Sequence, residues 1–207
     1  ILLTVDEEAG MGGAFALQPG WLTGKYLINT DAEQDNEIFV GCAGGLEAKL
    51  ELNINHEALP TGYECYQIRI SGLKGGHSGL DIHRNRANAI KLLTRILNRI
   101  QAQLEIRLVH ISGGNLRNAI PREAEATVAL PVIKHNDLMS LLSNELAVLK
   151  REYLHTEPAL ELRFDTTKQK PTKTFTSETT NSVLHLLQLN HHGVLRMSPV
   201  MPAVVET

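Results

Sequence analysis

The stretch Ile1-Leu2-Leu3-Thr4-Val5-Asp6-Glu7-Glu8-Ala9-Gly10 runs from apolar residues straight into three consecutive carboxylates. Its apolar part has the length and β-branched content of a strand, and Gly10 to Gly13 reads as a turn into a helix. Carboxylates repel one another and resist burial, so three of them at the mouth of a buried strand imply a cation that holds them together. Working outward, Ala14 to Leu17 reads as a short helix closed by Pro19-Gly20. Lys25 to Asp31 then repeats the pattern of an apolar strand ending on a carboxylate. Strand, helix, strand is the grammar of a parallel α/β sheet, whose ligands gather beyond the carboxyl ends of its strands. Glu7, Glu8 and Asp31 would share that edge. A third strand, 37–41, leads into the small-residue boundary Cys42-Ala43-Gly44-Gly45.

Beyond that boundary the period changes. Leu46, Ala48, Leu50, Leu52 and Ile54 alternate with polar residues, as in a strand with one wet face. Residues 55–62 read as a polar loop, and Tyr66, Ile68 and Ile70 alternate again. A helix over about 84–102 carries Ala89, Ile90, Leu93, Ile96, Leu97 and Ile100 on one stripe. Two strands follow, around Leu104 to Leu108 and Ala124 to Leu130. Then come a helix capped by Asn136 and a strand through Leu160, Leu162 and Phe164. From Glu64 to Asp165 the order is β-α-β-β-α-β, an α/β sandwich on an antiparallel sheet. Residues 166–176 read as a lysine-rich surface linker, and Ser177 as the cap of a last helix ending near Asn190. The expected fold class is therefore α/β: residues 1–44 form the edge of a parallel α/β domain, and residues 45–207 a second, α+β domain.

The totals narrow the function. The 207 residues are 43% hydrophobic, enough for one large or two smaller cores. A net charge of −3 with both signs mixed implies no nucleic-acid partner. No apolar run approaches the roughly 20 residues that span a bilayer, so no membrane partner is expected either. Two cysteines make no disulfide framework, which favours the cytoplasm. An isoleucine start and a Val204-Val205-Glu206-Thr207 end, both inside apparent strands, suggest a piece of a longer polypeptide.

Three stretches could carry chemistry. Metal-assisted hydrolysis needs hard ligands plus one unliganded carboxylate to take a proton from water, and adjacent glutamates can divide those tasks. A solvated acidic turn is the plain alternative. Lys74-Gly75-Gly76-His77-Ser78-Gly79 displays a histidine among three glycines, suited to donating to a developing oxyanion or simply forming a hairpin. Gly113 to Glu123 is a loop in which Asn118, Arg117 and Arg122 could bind a substrate carboxylate, although a structural loop is the simpler reading. The basic line Lys91, Arg95 and Arg99 reads as a solvated helix face.

Thr4 to Met11, Leu27 to Asp31, Gly41 to Gly45, Gly72 to Gly79 and Leu116 to Ala124, taken together, resemble the aminoacyl-histidine dipeptidases of peptidase D type. These belong to the cocatalytic-zinc peptidase family that also holds carnosinases, peptidase T and glutamate carboxypeptidases. The resemblance implies a catalytic-domain edge followed by a lid that also carries a homodimer contact. It implies Glu7 as general base, Glu8 and Asp31 as ligands to two Zn²⁺ ions (or Co²⁺ or Mn²⁺ in their place), and His77 as the lid histidine that stabilises the tetrahedral intermediate. In relatives that histidine often serves the partner's site. Asn118 would help hold the substrate, a dipeptide such as Xaa-His. The family also uses an upstream His-x-Asp pair, a bridging Asp and a late His, which find no place here. The alternatives are a lid and dimerisation module that is not itself catalytic, or a sibling tripeptidase, aminopeptidase or carboxypeptidase.

Overall fold

The computed structural model describes residues 1–7, 10–30, 35–39, 41, 44–167, 171–201 and 204–207. The chain divides into two units, Ile1–Lys49 and Leu50–Thr207.

In the first unit, the only regular element among the described residues is a one-turn helix, α1 (Gly12–Phe15). The chain reaches it through a tight turn: the Gly13 N–H donates to the Val5 carbonyl at 3.1 Å and the Met11 N–H to the Asp6 carbonyl at 2.6 Å. A side chain at Gly13 would lie 2.5 Å from the Val5 nitrogen, so the second glycine of the pair is required by this close approach. The turn into a helix expected at Gly10 to Gly13 is thus present, two residues earlier than the Ala14 start. The three expected parallel strands are not: the described parts of 1–5, 25–31 and 37–41 carry no ladder. A strand exists only through its neighbours, and here Leu3, Ile28 and Ile38 stay 88, 88 and 90% exposed. The alternation from Leu46 to Ile54 likewise forms no strand.

The second unit holds the core. Its strands are β1 (His56–Ala58), β2 (Tyr63–Ser71), β3 (Gly76–His77), β4 (Arg107–Gly113), β5 (Ala119–Ile120), β6 (Ala124–Pro131), β7 (Glu161–Thr166) and β8 (Lys173–Phe175). Its helices are α2 (Ala89–Leu104), α3 (His135–Glu152) and α4 (Ser177–Leu189). Four strands form one antiparallel sheet in the order β4-β6-β2-β7, which is the expected β-α-β-β-α-β plan. On β2, Tyr66, Ile68 and Ile70 are fully buried, and they share a core with Ala126 and Val128 of β6 and with Leu93, Ile96, Leu97 and Ile100 of α2. The alternating Gln67 and Arg69 keep a polar outer face, tied across strands to Glu125 and Glu123.

Several boundaries differ from expectation for identifiable reasons. Arg84 ends a separate 3₁₀ turn and residues 85–88 are not helical, because Asn88 caps α2, its side chain accepting from the N–H groups of Ile90 and Lys91. Leu104 belongs to that helix rather than to the next strand. Asn136 lies inside α3, which starts one residue earlier at His135. Thr176, not Ser177, caps α4 by accepting the Thr179 N–H at 3.2 Å. The loop 55–62 and the linker 166–176 each contain a short strand, and these pair as β1 with β8. Two polar segments remote in sequence satisfy each other's backbone, which local composition does not reveal.

Candidate functional site

Gly72 follows the end of β2, and the chain from Lys74 to Ala87 forms a loop that returns to α2. Both ends of this loop are held by one carboxylate. Glu157, 2% exposed in the connection between α3 and β7, accepts the Lys74 N–H at 2.7 Å and the Ala87 N–H at 3.0 Å. A carboxylate buried this deeply is tolerated because backbone donors satisfy both of its oxygens.

Inside the loop, β3 pairs with β5 in the register Gly76 to Ile120 and His77 to Ala119. The Ser78 N–H continues the ribbon by donating to the Asn118 carbonyl at 2.8 Å. His77 and Asn118, 41 residues apart in sequence, are therefore brought onto one two-stranded ribbon. Gly76 makes this possible. Its φ is +147°, and a β-carbon there would fall 2.2 Å from the Arg86 guanidinium and 2.5 Å from an Asp81 oxygen. Gly75 is equally hemmed in by the stem of Arg122.

The His77 ring is exposed, yet one of its nitrogens is fixed. Nδ1 accepts the backbone N–H groups of Gly79 at 3.0 Å and Leu80 at 3.1 Å. Backbone amides only donate, so Nδ1 carries the lone pair and Nε2 carries the hydrogen in the neutral ring. Among the described residues Nε2–H has no protein partner, which leaves it as a hydrogen-bond donor to whatever approaches the ribbon. The ribbon stands beside two open bays, of about 1020 Å³ along Lys74, Gly76 and Arg122 and about 500 Å³ along Ser78, Arg117 and His192. His77 and Asn118 line neither bay.

The other sequence expectations fare differently. Glu7 is exposed on the turn before α1. Glu8 and Asp31, the expected metal ligands, lie outside the described residues. Among the described residues no three His, Cys, Asp or Glu side chains converge as a metal site, so these residues do not by themselves fit the two-metal centre the resemblance implies. Arg122 donates from Nε to the Leu73 carbonyl at 3.3 Å and lines the larger bay. The basic line on α2 is only partly a solvated face: Arg99 stays exposed, yet all three side chains reach a neighbouring helix. Arg95 makes a two-pronged pair with Glu152 of α3, Arg99 pairs with Glu145, and Lys91 donates to the Leu187, Gln188 and Asn190 carbonyls that end α4. Sequence reasoning missed Asp81, Arg86 and Glu157. Their partners are backbone groups of the histidine loop, and no residue pattern signals such bonds.

Residues 68–157 match the family model described as the peptidase dimerisation domain. Over its whole length the chain is 44% identical to the cytosol non-specific dipeptidase of Escherichia coli strain K12, and it spans 42% of that protein. The solved aminoacylhistidine dipeptidase from Vibrio alginolyticus superposes with a TM-score of 0.81 at 39% identity, covering 99% of this chain and 41% of that one. The α/β fold of the chain is the fold of that structure's matching part.

Proposed function

We propose that the chain, its residues 68–157 forming a peptidase dimerisation domain, serves in a longer polypeptide that hydrolyses dipeptides, Xaa-His among them. The observation that carries the reading is the state of His77 within a chain similar throughout to dipeptidases. The imidazole accepts two backbone amides at Nδ1, so that Nε2–H is presented on a glycine-shaped ribbon. When water attacks a peptide carbonyl, negative charge develops on the carbonyl oxygen, and a preorganised N–H donor stabilises that charge more than it stabilises the substrate. Asn118, next along the same ribbon, would hold the substrate. Glu7 would take the proton from the attacking water, with Glu8 and Asp31 as this chain's share of a metal centre, most simply of zinc, that other parts of the polypeptide complete. Such an ion, when bound, polarises the carbonyl and acidifies water. The dimerisation-domain match supports a homodimer through residues 50–207, and the name of the Escherichia coli relative supports a cytoplasmic setting. The division into a catalytic part, 1–44, and a lid, 45–207, belongs to the same proposal.

A second reading is favoured by the incomplete acid set: the chain by itself acts as a lid and dimerisation module without turnover. One experiment separates the two. The full-length protein is assayed on a dipeptide panel beside Glu7→Gln, with bound metal measured in each and in the 207-residue chain. Hydrolysis by the parent, a loss of at least about 1000-fold in kcat with metal retained in Glu7→Gln, and little metal in the short chain would support the proposal. Loss of metal in Glu7→Gln would exchange the roles of Glu7 and Glu8. Absence of dipeptide hydrolysis by the parent would overturn the enzymatic reading.

A further inference from the structure

The His77 ribbon is held in place by a second carboxylate that touches no substrate-facing atom. Asp81 lies four residues beyond His77, with its side chain 16% exposed. Its Oδ2 accepts the His77 backbone N–H at 2.9 Å and also the Arg86 guanidinium at 3.0 Å. Its Oδ1 pairs with Arg84 at 3.1 Å. Arg86 extends the same nitrogen to the Gly75 carbonyl at 2.5 Å, so one ion pair fixes the backbone on both sides of Gly76. The Asp81 N–H returns to the His77 carbonyl at 3.0 Å, closing the turn whose Gly79 and Leu80 amides face His77 Nδ1. The backbone of His77, the positive-φ glycine before it and the turn that selects its tautomer thus share one anchor. The His77 amide, with Arg86 and Arg84 beside it, holds the Asp81 carboxyl below the usual carboxylate range, so the anchor is anionic at neutral pH.

We propose that Asp81, braced by Arg86, is a positioning residue for His77: it fixes the backbone and tautomer from which Nε2–H is offered, and so acts on turnover only through His77. The inference rests on the proposed donor role of His77. Misplacing a reacting group by about 1 Å can cost roughly 100-fold in rate, which sets the size of the effect.

The test is a double-mutant cycle in the full-length protein, reading kcat and KM for a dipeptide. Asp81→Ala is expected to lower kcat by roughly 10- to 100-fold with KM changed less than about threefold. Asp81→Asn, whose carboxamide oxygen can still accept the His77 N–H, is expected to retain more activity. Placed on His77→Ala, Asp81→Ala is expected to add less than about twofold, because residues acting as a unit are not additive. Losses that multiply across the cycle, or an Asp81→Ala kcat within about twofold of the parent, would overturn the positioning role while leaving His77 as donor. A His77→Ala protein with parental kcat would instead overturn the donor reading, and the Asp81 role with it. If Asp81→Ala does not fold, Arg86→Ala, which removes the brace on Asp81 and on the Gly75 carbonyl, carries the same cycle with the same criteria.

Discussion

Glu157 illustrates how much a single side chain outside the ribbon contributes to it. Its two oxygens close both ends of the loop that carries His77, joining Lys74 and Ala87 to the connection after α3. Glu157→Ala would leave two backbone donors without partners, each costing about 1–3 kcal/mol when desolvated. We expect a loss of about 2–5 kcal/mol, read as a lower urea midpoint at unchanged m-value. Glu157→Gln, which keeps one acceptor oxygen, should lose less. Equal unfolding midpoints for parent and Glu157→Ala would mean that water replaces the carboxylate and that the loop does not depend on it. The histidine and its glycines were legible in the sequence because their residue types announce a display loop. Glu157 and Asp81 were not, since a lone acid after a helix and another two residues past a glycine look like ordinary surface residues. Only the folded chain reveals that their partners are backbone amides of the same loop.

At the scale of elements, helix docking depends on charge as well as on the apolar stripe. The stripe of α2 was readable from its period, and Leu93, Ile96, Leu97 and Ile100 are all fully buried. The basic line beside it was misread, because charged residues at i,i+4 spacing look the same whether they face water or a neighbouring helix. Here they face α3 and α4. The hydrogen bond from Arg95, aided by its charge, holds the Glu152 carboxyl below its ordinary value of 4.5. A depressed carboxylate contributes stability that is present in full above the unfolded value and lost as pH falls through the folded one. Thermal unfolding of the parent should therefore drop as pH is lowered below about 4.5. Glu152→Gln should be less stable than the parent at neutral pH and show a shallower drop over that acid range. Parallel curves for the two proteins would remove Glu152 from the acid response. The pairing of β1 with β8 was equally hidden from the sequence. Each strand is only three residues long and set in polar surroundings, and strand pairing across 115 residues leaves no local periodicity.

For the whole molecule, the two units differ in how far sequence pattern became structure. In residues 50–207 the β-α-β-β-α-β order follows from alternation and helical stripes, because each half-buried element finds its cover within the unit. In residues 1–49 the pattern of apolar strands is just as clear, yet the described residues form no sheet. A parallel strand is buried on both faces and depends on neighbours that the 49-residue unit does not supply. The acids of the opening stretch follow the same rule. Glu7 sits on the expected turn, whereas a metal centre needs donors from several strands at once. The His77 ribbon lies wholly within residues 50–207, and on the proposed function it donates to the oxyanion while the acids contribute to a second site. The most direct test of that role is the steady-state kinetics of His77→Ala in the full-length protein on an Xaa-His dipeptide. Removal of one preorganised oxyanion donor should lower kcat by roughly 100- to 1000-fold, with KM changed far less and the fold intact. A His77→Ala enzyme that turns over at the parent's kcat, or one whose loss lies entirely in KM, would contradict it.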